Sequence, residues 1–173
     1  SLVPKYEKKY SYSEGAELVL DAIKPLGQSY HKILERGFGS ERWVDRYENA
    51  RKKSGAYSSG CYDSVPYILM NFQGTLRDVF TLAHEAGHSV HSYHSNKEQP
   101  FQYSNYPIFV AEVASTFNEE LLFRHLMEKA ESHEERCYLL NQKIDDIRAT
   151  LFRQTQFAEF ELTLHALAEK GIP

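Results

Sequence analysis

Several features that would assign a protein class at once are missing from this sequence. It contains no apolar run near the roughly 20 residues that a membrane-spanning helix needs, so we expect no membrane contact. Basic residues are not in excess, because 20 Lys and Arg stand against 24 Asp and Glu, for a net charge of −4. Binding to nucleic acid depends on excess positive charge, so we expect no nucleic-acid partner.

Cysteine is also scarce. The two cysteines, Cys61 and Cys137, are far apart and lack a C-x-x-C spacing. This pattern favours reduced thiols over a disulfide framework or a thiolate zinc site. The segment from Ser1 to Tyr10 is charged where a secretion signal would have its apolar core, so we expect a cytoplasmic protein.

The sequence does have the composition of an ordinary folded domain. Its 173 residues are 42% hydrophobic and 25% charged, which is close to average globular usage. The spacing of apolar residues is mainly helical, so the predicted fold class is mainly α, with a small β-sheet or hairpin near residues 56–73. We predict one domain, or a piece of a larger one, with four segments: a helical lead-in (1–50), a loop and a strand (51–74), two helices (75–131) and a long helix (132–170).

Local signals predict where individual elements lie. Ser13 is expected to cap the first helix, and Pro25 to interrupt it. A short helix is predicted over Glu41–Tyr47. The apolar, β-favouring run Val65–Phe72 is predicted to form a strand. Ser132 is expected to cap the final long helix.

One motif carries chemistry. His84-Glu85-Ala86-Gly87-His88 is an H-E-x-x-H sequence inside a helical pattern. At about 100° per residue, the two histidines project roughly 40° apart on one helix face, so they can hold the same ion. In such sites the carboxylate takes a proton from the metal-bound water as that water attacks a carbonyl. We therefore predict one zinc ion bound by His84 and His88, with Glu85 as the general base.

Two residues are candidates for the third ligand. His94 lies six residues after His88 (94 − 88 = 6), which is the metzincin spacing, but that pattern needs a Gly where this chain has His91. Glu112 lies 24 residues after His88 (112 − 88 = 24), on a second predicted helix. Its carboxylate would complete a His₂Glu catalytic site. We therefore favour Glu112 and keep a metzincin-like site with His94 as the alternative.

Neighbouring residues are expected to support the ligands. Ser115 and Glu119 share or border the helix face of Glu112, so they can orient the ligands through hydrogen bonds. His91 borders the face of His84, where we expect it to pack under the site. A fourth protein ligand would close the site to water.

These residues resemble the thimet oligopeptidase family of zinc metallopeptidases, most closely its oligoendopeptidase F branch. The downstream E-V-A-S-T-F-N-E sequence strengthens the resemblance that H-E-x-G-H-x-x-H begins. The matching segments are GAYSSG (55–60), PYILMNFQG (66–74), FTLAHEAGHSVH (80–91), AEVASTFNE (111–119) and RATLFRQTQFAEFE (148–161).

The resemblance implies a zincin-like helical catalytic core with a deep channel, and cleavage of short oligopeptides. By motif position, it implies zinc ligands at His84, His88 and Glu112, and a general base at Glu85. Family members look like longer chains, so it also implies that this chain is a fragment of a catalytic region. A non-catalytic helical fragment or binding module is the alternative.

The resemblance also implies how substrate binds. A small sheet is expected to pair with an extended peptide through its edge strand, which we expect to be Val65–Phe72. Substrate contacts are predicted for Gly55, Ala56 and Tyr57, in the loop near that strand, and for Asn71.

Overall fold

A computed structural model describes residues 8–171 of the chain. The described residues are mainly helical, with one small three-stranded sheet, which confirms the predicted fold class. The chain divides into two compact units, Glu7–Lys129 and a second unit that includes Ala130–Pro173.

The first unit contains the sheet and four of the helices. Its elements are α1 (Tyr12–Ala22), a 3-10 turn (Lys24–Leu26), α2 (Gln28–Phe38), β1 (Val44–Asp45), β2 (Tyr57–Ser59), β3 (Tyr67–Leu69), α3 (Leu76–Glu98), a second 3-10 turn (Phe101–Tyr103) and α4 (Ile108–Lys129).

Two helices of this unit begin with a capping box. In α1 the Ser11 hydroxyl accepts from the backbone N–H of Glu14, whose carboxylate accepts from the Ser11 N–H. The predicted cap at Ser13 is therefore wrong by two residues, because Ser11 has the acidic partner that a capping box requires. Thr75 and Asp78 form the same arrangement at the start of α3.

The short helix predicted over Glu41–Tyr47 is wrong, because β1 forms there instead. The backbone carbonyls of Trp43 and Asp45 accept from the N–H groups of Ile68 and Met70. Trp43 is only 1% exposed. Hydrogen bonds to a distant strand and burial of the indole therefore override the local helical tendency of this segment.

The sheet order also corrects the predicted substrate edge. The order is β1-β3-β2, with β1 parallel and β2 antiparallel to β3. The strand predicted over Val65–Phe72 is therefore β3, which pairs on both sides and offers no edge. The edge strand on the side of α3 is β2, where the Ser58 hydroxyl lies 2.7 Å from that of Ser89.

Helices α3 and α4 cross at very short range. Gly87 lies at the crossing, where a Cβ would come within 2.7 Å of Ala114 O and Ser115 Cα. The Asn118 side chain donates to the backbone carbonyl of Ala83 at 3.3 Å and accepts from Tyr30. Two features therefore hold the helices close together. Gly87 has no side chain to keep them apart, and the buried amide of Asn118 donates a hydrogen bond across the contact.

The second unit contains α5 (His133–Arg148), a π-helical segment (Ala149–Arg153) and α6 (Gln154–Glu169). The Ser132 hydroxyl accepts from the Glu135 N–H at 3.0 Å, which confirms the predicted cap. Large apolar side chains of both helices are exposed, with Ile144 of α5 at 63% and Leu162 of α6 at 73%. No helix among residues 8–171 is long and apolar enough to cross a membrane.

We expect Gly87→Ala to destabilise the fold, although alanine ordinarily favours a helix interior over glycine by about 1 kcal/mol. The added carbon would contact backbone atoms of α4, so the helices would have to move apart. Urea denaturation should show a loss of about 1–3 kcal/mol in the free energy of unfolding.

Gly15→Ala is the matched control for this prediction. Its added carbon would meet side-chain atoms of Phe72 and Val79, no closer than 3.3 Å, and these can shift slightly. We expect a clearly smaller loss than for Gly87→Ala. A Gly87→Ala variant as stable as the unmodified chain would contradict the close helix contact.

Candidate metal centre

Three potential metal ligands converge where α3 faces α4. His84 and His88 lie one turn apart on α3, and Glu112 comes from the second turn of α4. Among the described residues, these three form the one group of metal-ligating side chains whose ligand atoms lie close together. The two Nε2 atoms are 3.1 Å apart. Glu112 Oε2 lies 3.5 Å from His84 Nε2 and 3.6 Å from His88 Nε2.

These separations fit a tetrahedral zinc ion. Ligand atoms bound to zinc at about 2.0–2.1 Å lie about 3.3–3.4 Å from one another in a tetrahedron. Two imidazole nitrogens and one carboxylate oxygen are also a donor set that catalytic zinc accepts. Both the distances and the donor types therefore suit this ion.

Glu119 is held directly against His84. Its Oε1 lies 2.5 Å from His84 Nδ1, the ring nitrogen that faces away from the ligand group. With the proton on Nδ1, His84 donates to this carboxylate and keeps the Nε2 lone pair for an ion. Glu119 thereby fixes both the ring orientation and the tautomer.

Hydroxyl groups of α4 hold Glu112. The Ser115 hydroxyl donates to Glu112 Oε2 at 2.9 Å, and the Thr116 hydroxyl donates to the Glu112 backbone carbonyl at 2.6 Å. Ser115 is fully buried, so the donor of this hydrogen bond has a fixed position. The carboxylate thus has a fixed direction toward the histidines.

The environment changes the pKa of both histidines. Burial alone lowers the pKa of His84, but the hydrogen bond and charge of Glu119, with the charges of Glu85 and Glu112, raise it above the ordinary value. Burial and the charge of His84 lower the pKa of His88. The carboxylates around His84 therefore favour its protonated form when no metal is bound.

Glu85 lies beside the ligands, and only 7% of its surface is exposed. Burial raises the pKa of its carboxyl group, while the charge of His84 and the backbone N–H of Ser58 act in the opposite direction. Ser58 is also tied to α3 by the contact between its hydroxyl and that of Ser89. The edge strand β2 and the carboxylate are therefore directly connected.

The remaining histidines of α3 stay outside the ligand group. His91 stacks on Tyr106 with ring centroids 3.9 Å apart, and its buried Nδ1 has no hydrogen-bond partner among the described residues. His94 packs against Tyr93. Because α3 continues without a turn to Glu98, His94 is not brought back to His88, as a metzincin site would require.

The residues predicted to contact substrate lie in and around β2. Tyr57 begins the strand and is 50% exposed, and Gly55 and Ala56 lead into it. Asn71 donates both amide hydrogens, to Lys53 O and to Gly55 O, each at 2.9 Å. Asn71 therefore holds the loop before the strand in place.

Sequence reasoning missed two residues of this region. The backbone N–H of Ser58 counteracts the rise in the pKa of Glu85, and Asn118 on α4 donates to a backbone carbonyl of α3. Alternation in a strand places Ser58 on the opposite face from Tyr57 and Ser59, so its position could have indicated contact with a helix. Nothing local marks Asn118, because its partner Ala83 is distant in the sequence.

Comparison with known proteins gives one consistent result. A family model described as peptidase family M3 matches residues 2–173. Oligopeptidase PepF of Bacillus subtilis is 50% identical over 99% of this chain and 26% of its own length. A chromosomal oligoendopeptidase F of Lactococcus lactis is 45% identical over 94% of this chain and 27% of its own length. The chain thus spans about a quarter of the length of these curated relatives.

Solved structures agree. A crystal structure of a candidate peptidase from Chlamydophila abortus superposes with a TM-score of 0.82 at 51% identity, covering 97% of this chain and 28% of the other. Oligoendopeptidase-F from Enterococcus faecium gives 0.51 at 32% identity, covering 97% of this chain and 24% of the other.

With metal removed by a chelator, we expect stabilisation by Glu119 to depend on pH. The pKa of His84 is raised above its ordinary value of 6.5, so the folded chain holds this proton more tightly than the unfolded chain. The stabilisation is fully present below pH 6.5 and is lost as pH rises through the raised pKa. Urea denaturation should show a larger loss for Glu119→Gln at about pH 6 than at about pH 9.

Glu120→Gln is the control, because Glu120 pairs with Arg124 on the helix surface. We expect its effect on the free energy of unfolding to be similar at both pH values. Equal effects of Glu119→Gln at both pH values would contradict the assignment. So would an NMR titration that places the pKa of His84 at or below 6.5.

Proposed function

Because the chain belongs to peptidase family M3, a metallopeptidase family, we propose that it is the zinc-binding part of an endopeptidase that hydrolyses short oligopeptides. The observation that carries the proposal is the convergence of His84, His88 and Glu112 beside the buried Glu85. Residues 1–173 would then be a partial catalytic domain.

His84, His88 and Glu112 would hold one zinc ion, with Glu119 and Ser115 keeping the first and third of them in place. When bound, zinc acts as a Lewis acid that makes water a nucleophile near neutral pH and polarises a carbonyl. Three protein ligands leave the fourth position open for this chemistry.

Glu85 would move the proton. Its carboxylate lies next to the ligand group, where it can accept a proton from the attacking water and pass it to the leaving amine. Burial raises the pKa of this carboxyl group toward the range in which a group both accepts and releases protons near neutral pH. The Ser58 N–H limits this rise.

The substrate would lie along the edge strand β2. An extended peptide can add to an exposed strand edge through backbone hydrogen bonds, which selects for extended peptides over folded proteins. Gly55, Ala56 and Tyr57 would contribute contacts at the start of the strand, and Asn71 would act by holding the loop that leads into it.

A cytoplasmic location belongs to the same proposal. Cys61 and Cys137 are both free, which fits a reducing compartment.

We expect the chain to bind one zinc ion, and the ligand set to be tested by substitution. Calorimetry should show that Glu112→Ala weakens binding by more than the roughly 10–100-fold that loss of a supporting hydrogen bond costs. Glu119→Gln should fall within that range, because it removes only the support of His84. His94→Ala is the control and should bind zinc normally.

Loss of zinc binding in His94→Ala together with normal binding in Glu112→Ala would overturn the ligand assignment. A chain that folds with ordinary stability and binds no zinc would favour the non-catalytic binding module instead.

Hydrolysis of a quenched-fluorescent peptide tests the role of Glu85. We expect Glu85→Gln to lower the rate about 10²–10⁴-fold while zinc affinity stays the same, because the proton acceptor is lost and the ligands are kept. A full-length relative serves as positive control for the peptide, with the matching substitution made in it. Equal hydrolysis by the unmodified and substituted enzymes would refute the mechanism.

A further inference from the structure

The edge strand β2 has a cleft at each of its ends. One cleft, which we call the charged cleft, lies at the start of the strand, and its lining includes Ser54, Gly55 and Ala56. The other lies past the end of the strand and has a volume of about 450 Å³. We call it the aromatic cleft, and its lining includes Gly60, Cys61, Tyr62, Asn96, Phe101 and Tyr106.

The two clefts lie on opposite sides of the ligand group. On α3, Arg77 and Thr81 line the charged cleft, while Ser92 and Asn96 line the aromatic cleft. His84 and His88 lie between them on the same helix. A peptide along β2 would therefore pass Glu85. A residue two or three positions from the reacting bond, about 10 Å along the peptide, would then reach the aromatic cleft.

The aromatic cleft offers ring surfaces. The rings of Tyr62 and Phe101 meet edge to face with centroids 5.5 Å apart, and Phe101 is 67% exposed. The hydroxyl of Tyr62 donates to Gln99 O, and that of Tyr106 lies 2.6 Å from the Ser92 hydroxyl. These hydroxyls already have partners, and one face of Tyr106 is covered by His91. The exposed ring of Phe101 therefore offers most of the apolar contact to a ligand.

The two clefts differ in the charge of the residues that line them. None of the residues that line the aromatic cleft is charged. The lining of the charged cleft includes Glu48, Lys52, Arg77 and Asp78. A charged side chain that entered the aromatic cleft would lose water and find no counterion, which costs free energy. An aromatic side chain would gain apolar contact and edge-to-face ring packing there.

We propose that the aromatic cleft is a specificity subsite that binds an uncharged, preferably aromatic, side chain of the peptide. The subsite rests on the proposed function, because the peptide must lie along β2 to reach it. Its volume lies within the roughly 300–1,000 Å³ typical of small-molecule sites, so one aromatic side chain fits.

The cleft is first tested without any peptide. N-acetylphenylalaninamide is added at millimolar concentration to the isotope-labelled, zinc-loaded chain, and N-acetyllysinamide is added in parallel. We expect amide NMR shifts for Tyr62, Phe101 and Ser104 with the phenylalanine compound only. Shifts with both compounds, or with neither, would overturn the proposal.

Binding of blocked eight-residue alanine peptides tests the link to β2. The zinc-loaded Glu85→Gln chain is used so that no peptide is cleaved, and one phenylalanine or lysine is moved along the peptide. We expect one phenylalanine position to bind at least about tenfold more tightly than the alanine peptide, and lysine there to give no gain. If the alanine peptide binds and no phenylalanine peptide binds more tightly, the result contradicts the subsite but not the proposed function. An alanine peptide that does not bind contradicts the proposed function.

Asn96→Asp should then narrow the preference for phenylalanine over lysine. A carboxylate in the cleft should strengthen binding of the lysine peptide a few-fold, as a partly exposed ion pair does. The control is Gln28→Glu, which makes the same charge change on the exposed start of α2. An equal gain in both variants would show long-range charge attraction and would overturn the assignment of Asn96 to the subsite.

Discussion

The distance between α3 and α4 is the constraint on which the candidate metal centre depends. Two ligands come from one helix and the third from the other, and Glu112 Oε2 already lies 3.5 Å from the nearer histidine nitrogen. Gly87 makes this approach possible, because a side chain there would contact the backbone of α4. Asn118 holds the same contact one turn away. The site is therefore produced by helix packing, and it should keep its shape when loops move.

The sequence predicts features that depend on contacts between neighbouring residues better than features that depend on contacts between distant segments. His84 and His88 share a helix turn, so their convergence follows from spacing alone. The prediction of Glu112 as third ligand depends on the donor chemistry of zinc and on the family resemblance, because no local rule predicts where two helices cross. The same limit explains the error at Glu41–Tyr47, where β3 supplies the hydrogen bonds. It also explains why the prediction of Val65–Phe72 as the edge strand is wrong, since strand order is a property of the whole sheet.

Under the proposed function, Ser58 would connect substrate binding to proton transfer. Its backbone N–H counteracts the rise in the pKa of Glu85, and its hydroxyl lies 2.7 Å from that of Ser89. The three-residue strand is therefore held against the helix that carries the candidate ligands. A strand this short has few hydrogen bonds of its own. The side-chain and backbone contacts to α3, with the amide of Asn71 on the loop before it, give the edge a defined position beside the carboxylate.

The pairing of His84 with Glu119 has a further consequence for how the site acquires its ion. In the metal-free chain the surrounding carboxylates favour the imidazolium form of His84, which has no lone pair to offer. At pH values below the raised pKa, an incoming cation must therefore displace a proton from His84 before it can bind there. Metal loading is an exchange reaction that acidifies its surroundings, and in a dilute buffer the uptake of zinc could be followed with a pH indicator alone.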